Sequence, residues 1–512
     1  MPEKLISRLK NNILPEWKTC FWSAIIIGLI AHLYKITNWL PNWDSLVFRH
    51  DTQNMIGMGR WFLPVAAAPS SFYDLPWITG LMSIVFYTLG AICICKIFNV
   101  RKNITAMLIG AAVVSFPTVT STMQYNYVAD AYALSFLFAC IAALLMTDKK
   151  PKYIAATVFI ALSVGTYQAY ITVTIMLLLC YLIIEVLKKG VAVKDILLKS
   201  VKFLLTGAAG MALYYLILML LLKITSAELL DYQGFGDAVA LSNLNIMSSL
   251  YNIKESFIAY FFDFSNGLNI FIVINATIFA LTVVLYLIGA VKNKLKLSQI
   301  LIACIGVVLL PIGASVLAFV NKDVDYHTLM KMGFFVFYLF FILQYETEGN
   351  DSNKLGVIKS WTIFVISALL IFNQIIIANV SYHKLTLSFE KSYGTLIRIA
   401  DRIEQTAGTE ECDSILALGA LEGSEAYSAM VPLKLVGTTD GLIIRADDET
   451  VGQSVLCSAL NDYCLKEYKF VAGEQKKELL KKVDLENMDN WPASNSICVV
   501  DNVIVIKLGD QR

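Results

Sequence analysis

YIAATVFIALSVGTYQAYITVTIMLLLCYLIIEV, residues 153–186, carries one charged side chain, Glu185, close to its end. As a single helix it would run about 51 Å at about 1.5 Å per residue, against a bilayer core of about 30 Å. Gly165, Tyr167 and Gln168 mark a break near its middle. Two spans joined by a tight bend, 153–166 and 168–186, fit the membrane where one helix does not. Lysines flank the pair on both sides, Lys149, Lys150 and Lys152 before it and Lys188 and Lys189 after it. The bend therefore faces the side of the membrane away from those lysines.

The same pattern extends outward along the chain. Apolar runs of similar length cover 20–37, 75–96, 105–122, 128–146, 203–223, 268–290, 299–320, 328–345 and 361–380, which with the pair above make about eleven spans. Hydrophobic residues make up 57% of the chain and charged ones only 16%, where a soluble chain carries about 25% charged residues. The mean hydropathy is +0.64. These values predict a polytopic α-helical membrane protein. A net charge of +1 offers no basic field for nucleic acid.

Lysine and arginine crowd alternate loops: Lys96, Arg101 and Lys102; the lysines at 149–152; Lys188, Lys189, Lys194, Lys199 and Lys202; and Lys292, Lys294 and Lys296. The positive-inside rule assigns these loops, and the N-terminus, to the cytoplasm. MPEKLISRLKNNILPEWK is too polar and too long for a cleaved signal peptide and reads as a cytoplasmic lead-in. Residues 38–74, 224–267, 321–327 and everything after about 381 then fall outside.

From 384 onward the composition changes. Short strand-like runs, ILALGAL (415–421), GLIIRA (441–446) and KFVAG (469–473), alternate with helical segments. SICVV and VIVIKL flank Asp501-Asn502, a two-residue hairpin turn. The chain thus divides into a membrane domain, 1–383, and a small extracytoplasmic α/β domain, 384–512. Six of the ten cysteines sit in or beside spans and pack as small hydrophobes. Cys457 and Cys464, seven apart on an expected helix, lie about 10 Å apart by helical rise and cannot bridge each other. Either pairs with Cys412 or Cys498, or all four stay thiols. No spacing of Cys and His suggests a metal site.

The span centres are nearly bare of charge and contain no histidine. Lys35 and Asp130 stand near outer span ends, and Lys35 is expected to snorkel. Polar groups gather instead at the outer boundary: Asp44, Arg49, His50, Asp51 and Arg60 in the first loop, Tyr125 and Asp130 at the second, Tyr167 and Gln168 at the bend, Asp325, His327 and Lys331 at a later loop. A lipid-linked phosphate could meet them there with its tail among the helices. Transfer of its sugar to a hydroxyl needs a carboxylate base, for which Asp44 and Asp51 compete. It also needs cations on the leaving phosphate, for which Arg49, Arg60 and Lys331 are available. Met55–Ala68 reads as an amphipathic segment along the membrane surface, anchored by Trp61 and Phe62. Structural readings stand beside each of these: a topological anchor for the first loop, an interfacial role for His50, a helix-dipole partner for Asp130, backbone bonding for Tyr167 and Gln168, and a topogenic role for 325–331.

A first outer loop that bears Asp44 in NWDSL and closes on GRW (Gly59, Arg60, Trp61) resembles bacterial membrane glucosyltransferases of the serotype-converting type II kind. VADAYALSFLFACIAALL (128–145), SVGTYQAYI (163–171) and the closing NWPASNSICVVDNVIVIKLG resemble them too. The resemblance runs over nearly the whole chain and is strongest over 38–186. It implies a fold similar to the C-type glycosyltransferases (GT-C), with no cofactor or metal, and an undecaprenyl-phosphate-glucose donor. It further implies a partner flippase, a polyprenyl-phosphate glucosyltransferase and a surface-glycan acceptor such as O-antigen, teichoic acid or capsule. Asp44 matches the family's first-loop acid best, with Asp51 second. Arg60 falls on the GRW arginine and Tyr167-Gln168 on the bend pair. Where the family often shows adjacent acids, this loop has Asn42-Trp43-Asp44, leaving the base open between Asp44 and Asp51.

The expectation is an inverting hexosyltransferase in the bacterial cytoplasmic membrane. A flippase or exporter of lipid-linked sugars would need charges deeper in the spans. A polymerase would consume a lipid-linked repeat unit, and an O-acyltransferase would need an intramembrane histidine.

Overall fold

The computed structural model describes residues 13–42, 44–45, 55–230, 246–263, 269–320, 326–347, 354–419, 421, 452–462 and 464–510. The membrane part comprises α1 (Pro15–Thr37), the short α2 (Leu63–Ala67), α3 (Pro76–Ile97), α4 (Asn103–Ser115), α5 (Pro117–Thr122), α6 (Ala129–Thr147), α7 (Tyr153–Thr166), α8 (Ile171–Val186) and α9 (Val193–Thr225). It continues with α10 (Ile246–Phe261), α11 (Ile270–Lys292), α12 (Leu297–Ala314), α13 (Val316–Val320), α14 (Phe335–Leu343) and α15 (Lys354–Gln405).

Among the described residues nine helical stretches are long and apolar enough to cross a membrane. The other two expected spans are shorter apolar helices, Tyr153–Thr166 and Met332–Leu343. The first keeps the bounds expected for it, and the second is shorter than the expected 328–345 at both ends. At one end of the bundle Gln168–Tyr170 and Thr328–Met330 run as single 3-10 turns. The break expected at 165–168 is present: α7 stops at Thr166, Tyr167 is extended, and the chain restarts at Gln168.

The two ends of the bundle differ in chemistry. At one, basic loops meet one another: Gln299 donates to the carbonyls of Val186 (2.8 Å) and Lys188 (3.2 Å), and the Arg101 amide to Glu346 (2.7 Å). At the other end, 55–75, 123–128, 167–170 and 326–334 come together, rich in tyrosine.

In hydrocarbon, close backbone contact and internal hydrogen bonds replace the hydrophobic effect between helices. A Cβ on Gly110 would stand 2.5 Å from the Cys20 carbonyl oxygen, so only glycine lets α4 lie this close to α1. His32 is fully buried on α1 and ties three elements together, its ring nitrogens 2.7 Å from the Tyr382 hydroxyl and 2.9 Å from the Val114 carbonyl. The first span therefore does hold a histidine, but both its nitrogens are spent on the scaffold. Lys35 does not snorkel. It is fully buried, and its ammonium donates to the Leu40 carbonyl at 2.5 Å, because the chain after Thr37 folds back over it.

Two elements depart from the expectation. α10 lies within 224–267, read from sequence as loop. α15 continues some 25 residues past the apolar run 361–380, about 37 Å at helical rise. Its first part packs on α1 and α4. Further along, Tyr34 bonds Thr386 (2.9 Å) and Trp39 meets Phe389 edge-on. Its last part, Leu396, Ile399, Ala400 and Ile403, belongs to a second core.

That second core is α/β. β1 (Ser414–Leu418), β2 (Lys469–Phe470), β3 (Ile497–Val500) and β4 (Val503–Lys507) form one sheet in the order β2-β1-β4-β3. β1 is parallel to both neighbours, and β3 and β4 form the expected hairpin. Its turn residues Asp501 (φ 50°) and Asn502 (φ 60°) both take left-handed conformations, as a type I′ turn requires. α16 (Gly452–Asn461) and α17 (Gly473–Leu480) complete it. α16 ends before Cys464, so Cys457 and Cys464 do not share a helix. All ten cysteines are free. The expected strand at 441–446 lies outside the described residues.

Candidate active site

The first loop is pinned to the bundle at successive backbone positions. Gln168 Nε2 donates to the Met58 carbonyl (2.8 Å), the Tyr214 hydroxyl to the Gly59 carbonyl (2.9 Å), and the Phe62 amide to the Gly165 carbonyl (2.8 Å). Gly59 turns the chain at φ 75° immediately before Arg60. Trp61 lies against Gly165, where an added Cβ would come within 2.6 Å of the indole. The bend thus serves as a clamp on the loop, and Gln168 spends its amide on backbone. The segment 55–68 is not one amphipathic surface helix. It is a run of turns followed by α2, with Met55, Leu63, Ala66 and Ala67 buried. Trp61 and Phe62 pack on protein, Phe62 against Phe138.

This clamp presents Arg60. Its Nη1 donates to the Tyr132 hydroxyl at 3.1 Å, and its guanidinium lies 5.2 Å from the centre of the Tyr167 ring. Tyr132 and Tyr167 are stacked with centroids 4.3 Å apart. Tyr167 in turn meets Tyr170 edge-on, and Tyr170 and Tyr87 share a 2.7 Å hydroxyl contact. The arginine therefore stands on a column of rings whose base is buried in the bundle.

Asp44 lies within the electrostatic reach of Arg60. Asn42, fully buried, accepts the Ser45 amide and hydroxyl (both 2.9 Å) and so fixes the turn that carries Asp44. The Asp44 carboxyl is half-buried; burial pushes it up to about 6, with the Arg60 charge acting in the opposite direction. Tyr127 is buried nearby. Burial, and then the Asp44 charge, raise its phenol well above the usual range. Arg60 acts on the same phenol, so Asp44, Arg60, Tyr125, Tyr127 and Tyr132 share one electrostatic neighbourhood.

Among the described residues, Asn42 Nδ2, Trp61 Nε1 and Asn126 Nδ2 are buried without a hydrogen-bond partner. Asp130 lies in the first turn of α6 and is fully buried. The Ser70 hydroxyl borders its carboxylate but donates to the Ala67 carbonyl (3.0 Å).

Lys331 lies in a box of its own. It is buried, with its ammonium 5.6 Å from the Tyr326 ring centre, 5.8 Å from Tyr260 and 6.0 Å from Phe334. The box rests on the site's scaffold: Thr118 donates to the Thr328 carbonyl at 2.9 Å, and Gly333 packs on Thr172, just past the bend. His327 caps that segment, its carbonyl accepting the Met330 amide (3.0 Å). Arg49, His50, Asp51 and Asp325 lie outside the described residues. Tyr214, Tyr260 and Tyr326 were not singled out from the sequence. The pair Tyr214-Tyr215, interrupting the apolar run of α9, was the available signal for the first.

The family model Glucosyl transferase GtrII matches residues 33–343, more than half of the chain. The chain belongs to this family. No curated protein and no solved structure matches it. Membership makes this chain a glucosyltransferase of cell-surface glycan modification, of the serotype-converting type II family. The matched segment of this GtrII chain contains the loop, its clamp, the tyrosine column and the Lys331 box.

Proposed function

We propose that this GtrII chain is an inverting glucosyltransferase that moves glucose from a polyprenyl-phosphate donor, undecaprenyl-phosphate glucose, to a hydroxyl of a cell-surface glycan. The carrying observation is that the Asp44 carboxyl, raised by burial, lies within the field of the Arg60 guanidinium. A carboxylate raised to about 6 is still ionised at neutral pH and is basic enough to take a proton. A ring-held guanidinium beside it offers fixed positive charge.

The acceptor oxygen attacks the anomeric carbon from the face opposite the phosphate and its proton passes to Asp44. The bond from the anomeric carbon to the phosphate oxygen breaks, and its electron pair leaves with the polyprenyl phosphate. Arg60 meets the charge that grows on that phosphate, with Lys331, and Arg49 in the same loop, as further cations. Asp51 is the alternative base. The buried amide nitrogens of Asn42 and Asn126 and the Trp61 indole, which meet no acceptor among the described residues, suit the hydroxyls of a hexose. The chemistry needs no metal or cofactor.

The positive-inside rule orients the basic end to the cytoplasm, so the tyrosine-rich end and the α/β domain face outward in the cytoplasmic membrane of a bacterium. The donor must then be made inside by a polyprenyl-phosphate glucosyltransferase and delivered by a flippase, and the α/β domain guides the acceptor. Purified protein mixed in detergent with undecaprenyl-phosphate glucose and acceptor tests this. Turnover without any transport step supports a transferase. Wild-type turnover in an Asp44→Asn/Asp51→Asn double variant removes the proposed base.

A further inference from the structure

In the α/β domain, Arg398 and Arg402 lie one turn apart on α15 and both place their guanidinium groups over the ring of Trp491, at 5.7 and 5.8 Å. Arg402 donates to the Ala493 carbonyl at 3.3 Å, and among the described residues neither arginine forms an ion pair. Arg398 is exposed, and Trp491 and Arg402 are half-buried. Like charges at this helical spacing repel. The Trp491 ring holds both guanidinium groups on one platform without neutralising either. An anion with two acceptor oxygens, a phosphate or a carboxylate, would relieve the repulsion and match the paired forks.

Height along α15 decides between a lipid headgroup and a water-borne polymer. Arg398 lies eighteen residues beyond the apolar run 361–380, about 27 Å along the helix, or about 21 Å for a tilt of about 40°. The headgroup layer is only about 5–8 Å thick on each side. The pair therefore stands clear of the membrane surface, on the helix that joins the site-bearing bundle to the sheet.

We propose that Arg398, Arg402 and Trp491 form a docking site for an anionic glycan, through which an acidic acceptor polymer is held while one of its hydroxyls reaches the Asp44–Arg60 site. This rests on the transferase reading above. It adds that the acceptor carries phosphate or carboxylate groups.

The test uses the full chain in nanodiscs of zwitterionic lipid, with binding measured by thermophoresis. The probes are a hyaluronan oligosaccharide, a poly(glycerol phosphate) oligomer, a neutral dextran oligomer and phosphatidylglycerol vesicles. One of the two anionic oligomers is expected to bind with salt sensitivity, and dextran is not. Arg398→Gln should weaken that binding about tenfold, the loss of one charge-assisted contact, and Arg398→Gln/Arg402→Gln further. Arg398→Lys, which keeps the charge but loses the fork, should fall between. An unchanged thermal midpoint for Arg398→Gln confirms folding. Binding of neither anionic oligomer, binding indifferent to the arginines, or arginine-dependent binding to the vesicles alone overturns the proposal. Asp44→Asn separates the two readings: it should abolish turnover and leave this binding intact.

Discussion

Replacing Asp44 by asparagine removes the proposed base while keeping the side chain's size and its hydrogen-bonding reach. Losing a general base costs about 10²–10⁴-fold in rate, or about 3–5.5 kcal/mol of barrier. The wild-type pH profile fixes which group is responsible. With Asp44 at about 6, roughly a tenth of it is ionised at pH 5 and roughly nine-tenths at pH 7. Since the base must be ionised, kcat/KM should rise about tenfold from pH 5 to pH 7, with its midpoint near 6, and that limb should vanish in Asp44→Asn. Stability provides the control. The folded carboxyl titrates above its unfolded value of 3.8, so its neutral form is the one the fold prefers. That preference contributes fully below about 3.8 and is lost as pH rises through about 6. At pH 7.5 the ionised carboxylate is thus a burden of at most about 3 kcal/mol, less after solvent screening of a half-exposed group, and asparagine escapes it. Asp44→Asn should therefore unfold no earlier than wild type at pH 7.5 while turning over at least a hundredfold more slowly. Label transfer from undecaprenyl-phosphate glucose, alongside thermal unfolding in the same detergent, measures both. An acid limb that persists in the variant, or activity above a tenth of wild type, refutes the assignment.

Arg60→Gln should lower kcat/KM by about 10²–10³-fold and move the acid limb to higher pH, since the charge that holds the Asp44 value down is gone; a limb that stays in place would uncouple the two residues. Gly165→Ala drives a methyl to 2.6 Å from the Trp61 indole, so the loop must shift; we expect more than a tenfold loss of kcat in a protein that still inserts and purifies as wild type does. Lys331→Met should raise the KM for the lipid donor about tenfold with a smaller change in kcat, read from steady-state kinetics over donor concentration. Tyr214→Phe leaves the buried Gly59 carbonyl without its donor and should lower the thermal midpoint, consistent with a cost of about 1–3 kcal/mol.

Length and charge made the bundle legible, because a bilayer admits few ways to arrange apolar runs. The bend at 165–168 followed from a run too long to be one helix. Its purpose did not, since clamping the Met58 and Gly59 carbonyls depends on Gln168 and Tyr214 meeting a loop more than a hundred residues away in sequence. The hairpin at Asp501-Asn502 was legible because left-handed backbone at two consecutive positions has a local signature. α15 was read short because hydropathy falls after residue 380 while nothing in the sequence stops a helix; no proline or glycine occurs between 381 and 393. α10 was missed within a long loop. Its apolar residues lie on one face, and the window that detects spans averages that face away. Lys35 was misjudged because snorkelling assumes water above the span end, where this chain folds over it.

Among the described residues the two ends of the bundle hold their cations on different kinds of partner, and this bears directly on chemistry. At the basic end, cations meet carboxylates: Lys188 and Lys199 with Glu185, and Arg101 with Glu16. Such pairs fix loops and cancel charge. At the tyrosine-rich end, Arg60 and Lys331 rest on ring faces. A ring attracts a cation through its quadrupole, worth about 0.5–2 kcal/mol, yet brings no negative charge of its own. The rings thereby position the cation without themselves cancelling its charge. For a site that must favour a phosphate more strongly as its bond to a sugar breaks, a cation already neutralised by a close carboxylate would have little left to give. Among the described residues Arg60 acts on Asp44, raised to about 6, and in the proposed transfer the proton Asp44 gains cancels its charge as the phosphate's charge appears. On that proposal the hold of Asp44 on the guanidinium relaxes at the moment the leaving group needs it, which ties base and cation into one device.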